Sequence, residues 1–139
     1  MKIRSGIFFI VFFLWAGLTV AQEKQRISPK DYAGWNRLGA QGMSPGGDWL
    51  HYIINPQHGG DAVLFFENLD NGQKVMIPRG LRPSVSSGNH FAVFSIVPEA
   101  SVVRQSRLDG LRPNQMPTDS LGIFHFSTGE VEKLPGIIS

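Results

Sequence analysis

A chain of 139 residues with 13 basic and 11 acidic side chains has room for one small domain. Lys2 and Arg4 belong to an export signal, and without them 11 basic residues face 11 acidic ones, so the basic excess that a nucleic-acid binder keeps is missing. Cysteine is absent, which excludes disulfide frameworks, thiolate metal sites, cysteine nucleophiles and a cysteine-borne lipid anchor. After Lys2 and Arg4 comes an unbroken apolar run, Ile7 to Trp15, continued weakly by Ala16 to Val20, with Thr19 and Ala21 as small residues before a cleavage point. The apolar stretch of about 15 residues falls short of the roughly 20 that span a bilayer. Residues 1–21 are therefore expected to be a cleaved signal peptide, with an uncleaved anchor as the alternative. Residues 22–139 are then an exported protein, periplasmic or extracellular, whose link to the membrane is through that signal.

Gly and Pro make up 23 of the 118 residues after Ala21, against roughly 12 % in an average protein. That density of chain-turners predicts short strands and many turns, and excludes a helix bundle. Ser28-Pro29 reads as a helix start, with serine at the cap and proline in the first turn. Tyr32, Trp35 and Leu38 would then form one apolar stripe of a short helix ending at Gly39. From Met43 the period changes. Trp49 to Ile54 is a compact strand stopped by Asn55-Pro56. Gly59, Gly60 and Asp61 lead into Val63–Phe66, and Asp70-Asn71-Gly72 is a strong hairpin signal before the return strand Val75–Ile77. The stretch 49–77 is expected to be three antiparallel strands, with Pro83 to Ser86 a short fourth strand or lead-in.

The arrangement then repeats. Residues 44–56 lie over 86–98 without a gap at an offset of 42, each copy a Ser-led turn, an aromatic, an apolar strand and a closing proline. Phe66 to Gly72 matches Ile123 to Gly129 at an offset of 57, so the second copy carries an insertion, 99–119. That insertion is read as a short amphipathic helix whose arginines, Arg104, Arg107 and Arg112, form a solvated face. A repeat near 42 residues built of small antiparallel sheets is the signature of a β-propeller blade; a meander in a sandwich is the competing reading. The expected class is all-β: two antiparallel blades of an incomplete propeller over 22–139, preceded by the signal peptide and the short helix.

Tyr32-Ala33-Gly34-Trp35, Ser44-Pro45-Gly46-Gly47-Asp48-Trp49 and Asn55-Pro56, with Ile77-Pro78-Arg79-Gly80 and Met116-Pro117-Thr118-Asp119-Ser120-Leu121, resemble the opening of exported bacterial serine peptidases of the prolyl oligopeptidase family, over essentially all of 31–134. The resemblance implies an N-terminal β-propeller that gates peptide access to a C-terminal α/β-hydrolase domain carrying a Ser-Asp-His triad. The sequence holds two blades, where a propeller needs about four to eight, and no hydrolase domain. Either it is a fragment of such a peptidase, or it is a self-standing periplasmic module that completes its sheet with a protein partner or with its own copies. Two isolated blades would present an apolar flank, for which Phe65, Phe94 and Phe124 are the candidates.

Gly42-Met43-Ser44-Pro45-Gly46 satisfies G-x-S-x-G, the nucleophile elbow of α/β-hydrolases. The elbow needs a backbone N–H after the serine for the oxyanion hole, and Pro45 has none; a strand rather than a helix also follows. Ser44 is therefore read as a turn residue. His51 and His90 fall at unequal positions in the repeat, His58 near Asp61 is the closest approach to a ligand cluster, and His125 should point away from Phe124 and Phe126. Two loop residues do not make a metal site. Asp31, Asp48, Asp61, Asp70 and Asp119 lie at turns and caps, where aspartate serves the backbone. No catalytic, cofactor-binding or metal-binding residue is assigned, no cofactor is expected, and the 139 residues alone are expected to be inactive.

Overall fold

The computed structural model describes residues 26–57 and 59–137; the signal peptide read at 1–21 lies outside them. The chain forms two four-stranded antiparallel sheets, each strand pairing with the next along the chain. The first blade consists of β1 (Asn36–Met43), β2 (Trp49–Pro56), β3 (Val63–Asn68) and β4 (Lys74–Pro78). In the second are β5 (Gly80–Val85), β6 (Phe91–Ile96), β7 (Asp119–His125) and β8 (Val131–Ile137). Between β6 and β7 the insertion forms helix α1 (Ala100–Leu108). The all-β class and the two antiparallel blades are thus observed, with β5 realising the strand read at Pro83–Ser86.

The two sequence offsets are visible bond by bond. At 42, the Ser44 and Ser86 N–H groups donate to the carbonyls of Trp49 and Phe91 at 2.8 and 2.9 Å, and Gly47 and Asn89 donate back to those serines' carbonyls at 2.9 and 3.0 Å. Each serine Oγ also accepts the N–H of the aromatic that opens the strand, at 3.1 and 3.2 Å. At 57, Gly72 and Gly129 donate to the carbonyls of Asn68 and His125 at 3.0 and 2.8 Å, both at φ near 72° (73° and 72°), where a side chain is disfavoured. Both blades carry a bulge in the first strand, between Leu38 and Gln41 and between Leu81 and Ser84.

The short N-terminal helix is present as a single 3-10 turn, Asp31–Gly34, and the chain leaves it at Trp35, which is extended (φ −76°, ψ 139°). The stripe expected of Tyr32, Trp35 and Leu38 does not form: all three are exposed, and Leu38 lies on β1, paired with Ile54. The first blade accordingly has four strands where three were expected. β1 carries Gly39 and Gly42, weak strand formers, and owes its conformation to the ladder offered by β2 rather than to its own propensity. The Trp35 carbonyl already accepts the N–H of Gln57 at 2.9 Å, which draws the chain out of the helical path.

The core is the seam between the blades. Trp49, Ile53, Leu64, Phe66 and Ile77 of the first sheet meet Ala92, Phe94, Ile96, Phe124 and Phe126 of the second. Phe66 stacks on Phe124 with centroids 4.7 Å apart, and Trp49 stacks on Phe126 at 5.2 Å. Phe94 and Phe124, candidates for an exposed flank, are instead fully buried here, because alternation along β6 and β7 turns them toward the first blade. Phe65 alone of the three lies on an outer face, stacked on Tyr52 at 5.1 Å. Both outer faces alternate with the core and keep exposed apolar side chains, Met43 and Met76 on the first and Phe91 and Leu134 on the second, although the first also carries the Lys74–Glu67 ion pair.

Candidate functional site

Ser44 sits at the β1–β2 turn, 4 % exposed. Its hydroxyl donates to Asp48 Oδ1 at 2.8 Å while its Oγ accepts the Trp49 N–H at 3.1 Å. Among the described residues no histidine hydrogen-bonds it. Ser86 holds the equivalent turn of the second blade with the same backbone bonds, in a stretch where Ser84 replaces the first glycine of G-x-S-x-G, so the serine belongs to the turn design. The arrangement is strand–turn–strand with Pro45 after the serine, and it offers neither a base nor an oxyanion donor.

Asp48 is where the blades are tied by polar groups. One oxygen, Oδ1, accepts from Ser44 and from Asn89 Nδ2, the latter at 2.8 Å across the seam. These two bonds, the Ser44 hydroxyl first and the Asn89 amide second, hold the Asp48 carboxyl below its ordinary range. Asn89 occupies the turn position that Gly47 holds in the first blade, at φ 58° against 79°, a conformation asparagine tolerates better than most residues. Its Oδ1 is buried without a hydrogen-bond partner. Gly46 leaves the space for this junction: a Cβ there would lie 2.6 Å from Asn89 Nδ2 and 2.9 Å from Asp48 Oδ1.

The remaining candidates are dispersed. His51 on β2 pairs with Phe66 on β3 and sits against Gly42; burial pushes its imidazole pKa down. His90 is an exposed turn residue, His125 lies half-buried on the face opposite Phe124, and His58 falls outside the described residues. Asp31 accepts the Ser28 N–H at 2.6 Å, Asp61 accepts the Ala100 N–H at 2.9 Å at the start of α1, Asp119 pairs with Arg82 at 3.1 Å, and Asp70 is an exposed turn residue. Among the described residues no three His, Asp or Glu side chains are grouped to hold a metal ion.

Two features went unread in the sequence. On the outer face of the first blade, Lys74 Nζ pairs with Glu67 at 2.9 Å and lies 5.8 and 5.9 Å from the Tyr52 and Phe65 ring centroids. The Tyr52 hydroxyl and Glu67 raise the Lys74 pKa, and Lys74 in turn lowers that of Glu67. Cross-strand positions bring these four together, and their separation in sequence concealed it. The second feature is a groove of about 910 Å³ between α1 and the returning segment 113–119. Amphipathic spacing in the insertion was a signal for the helix, but not for an open wall opposite it.

No family model matches the sequence, and no curated protein does. Two solved structures are similar. The acylaminoacyl peptidase of Pyrococcus horikoshii superposes with a TM-score of 0.54 at 14 % identity, over 81 % of this chain and 16 % of that one. The β-propeller domain of the Trilobed protease from Pyrococcus furiosus, described as having an open velcro topology, gives 0.49 at 15 %, over 71 % of this chain and 27 % of that one. At these identities the likeness is one of fold, and the chain spans only a minor part of either protein.

Proposed function

We propose that this chain is a non-catalytic N-terminal propeller portion of an exported serine peptidase of the prolyl oligopeptidase family. Its propeller would gate peptide access to an α/β-hydrolase domain that the 139 residues do not contain. One observation carries the reading: two equivalent blades pack face to face while both outer faces keep exposed apolar side chains, as in a stack that continues on each side. The motifs at 32–35, 44–49, 77–80 and 116–121, and the fold likeness to an acylaminoacyl peptidase, support the family. Ser44, buried and bonded within a turn, leaves the nucleophile to the missing domain. Under this reading the partners are further blades and the hydrolase domain, and residues 1–21 direct export.

The test is to read and express the coding frame past the codon for Ser139. Further blades and a G-x-S-x-G with a residue other than proline after the serine are expected, with fluorophosphonate labelling of the longer protein at that serine. A stop followed by unrelated sequence would overturn the fragment reading and leave the self-standing interaction module. Export is tested separately: mass spectrometry of the secreted product should show Gln22 as first residue, and intact Met1 in a membrane fraction would refute cleavage.

A further inference from the structure

The insertion is hydrogen-bonded at both ends of its helix and again on its return. Helix α1 is tied at its start to the first blade through Asp61, which accepts the Ala100 N–H. It ends in a Schellman closure, with Leu111 N–H donating to Ser106 O at 3.0 Å, Gly110 N–H to Arg107 O at 3.1 Å, and Gly110 at φ 72°. The returning segment is closed in turn by Arg112 N–H donating to Gln115 Oε1 at 3.1 Å. Between these walls runs the groove of about 910 Å³, near the top of the roughly 300–1,000 Å³ range of ligand sites.

The side of α1 that should be spent on packing faces this groove. Ala100, Val103, Arg104, Arg107 and Leu108, spaced i, i+3, i+4, i+7, i+8, all line it, opposite Met116 and Pro117. The helix residue that is buried in the fold is a serine, Ser106, whose hydroxyl donates back to Val102 O. Leu108 is 75 % exposed. Two arginines and one carboxylate line the groove. Neither Arg104 nor Arg107 has an ion-pair partner among the described residues, whereas the one carboxylate on the groove, Asp119, is already paired with Arg82. Asp61 and Glu99, near Arg104 on its other side, accept from the Ala100 N–H and the Ser101 hydroxyl and keep their charge, so Arg107 is the less screened of the two guanidiniums.

We propose that this groove binds a short extended peptide segment that presents apolar side chains and a carboxylate on one face, at positions two residues apart. The apolar side chains would lie on Val103, Leu108 and Met116, and the carboxylate would bond Arg104 and Arg107. A guanidinium is suited to carboxylate recognition by its fork of donors. The groove is open to solvent, so a fatty acyl chain would leave one side of its tail in water, while an extended peptide sends alternate side chains in and out. Every group involved lies in the insertion and the strand ends beside it, so the inference does not rest on the peptidase reading.

The test uses the full chain and a fluorescein-labelled octapeptide Leu-Ser-Asp-Ser-Leu-Ser-Asp-Ser, which carries Leu and Asp on one face, with a counterpart in which Lys replaces Asp, read by anisotropy. The acidic peptide should bind, with the basic one roughly tenfold weaker or more, and Arg104→Glu with Arg107→Glu should reverse that order. Both arginines are exposed, so the pair of reversals should leave the circular dichroism unchanged. Val103→Trp, which fills the groove without altering charge, should also lose the acidic peptide, whereas Arg37→Glu with Lys133→Glu, away from the groove, should not. A photo-crosslinking form of the peptide should map to 100–108 or 113–119. Equal binding of the two peptides, indifference to the groove variants, crosslinks on the outer blade faces, or displacement by decanoate as readily as by unlabelled acidic peptide would each overturn the proposal.

Discussion

A hydrogen bond between one carboxylate and one asparagine joins the two blades, and the conformation of that asparagine makes the junction testable. Asn89→Ala removes the donor to Asp48 and puts a methyl side chain at φ 58°, which should cost about 1–2 kcal/mol for the backbone alone. Asn89→Gly removes the same donor without the strain, so it should fall between the wild type and the alanine variant in urea unfolding. Equal losses would show that φ is not what selects asparagine. Asp48 adds a pH dependence. Its pKa is depressed in the folded chain, so its contribution is complete above the unfolded carboxylate value of about 3.9 and is lost as pH falls through the folded value. Asp48→Asn should flatten the acid limb of the stability curve; an unchanged limb would deny the coupling. Ser44→Ala should lower stability by about 1 kcal/mol through the lost turn bonds, and purified 22–139 should not react with a fluorophosphonate probe in either form. Serine in G-x-S-x-G was readable as a turn residue because Pro45 and the strand that follows both argued for it. Asn89 was aligned with Gly47 by the repeat offset, yet its reach to Asp48 depends on how the blades meet, which no local pattern records.

At the scale of the strands, the seam depends on what is left small. Gly122 on β7 pairs with Phe94 on β6, and a Cβ at Gly122 would lie 2.1 Å from the nearest atom of that ring. Gly122→Ala should therefore cost about 1–3 kcal/mol by overpacking. Shortening the ring should relieve it, so that Gly122→Ala with Phe94→Leu costs less than the two single changes together by about 0.5 kcal/mol or more. Strict additivity in chemical denaturation would mean that the clash is absorbed elsewhere. The strands around this seam were legible because β2, β3, β6 and β7 are dense in Ile, Val and Phe and bounded by Asn-Gly, Ser-Gly or proline. β1 was not. Its Asn36–Met43 stretch has the composition of a loop, and the spacing of Tyr32, Trp35 and Leu38 imitates a helical stripe although the chain is extended from Trp35 on. The insertion helix was legible from its own spacing, while the empty side it faces became visible only with the return of 113–119.

For the whole molecule, the decisive quantity is how much apolar surface two blades leave uncovered. One seam is closed with ten buried apolar residues, and each blade then repeats the same alternation toward solvent. On the first blade Met76 is 61 % exposed and Met43 56 %, beside Tyr52 and Phe65; on the second Phe91 and Leu134 are each 41 % exposed. Strand β1 adds an edge with unpaired backbone groups, which templates association. Repeat units that cannot bury both faces usually need about three or more copies to be stable. Isolated 22–139 should therefore associate or unfold without a sharp transition, with a calorimetric enthalpy below the roughly 0.7 kcal/mol per residue of a complete domain near 60 °C. Placing a charge on the open face should separate association from folding: Met76→Lys leaves the seam untouched, so light scattering should fall while the circular dichroism stays that of the original chain, as for other exposed sites. A monomer that unfolds cooperatively with the full enthalpy, and that is indifferent to Met76→Lys, would refute the continuing stack. The closed seam would then be sufficient by itself, and the self-standing module would become the better account.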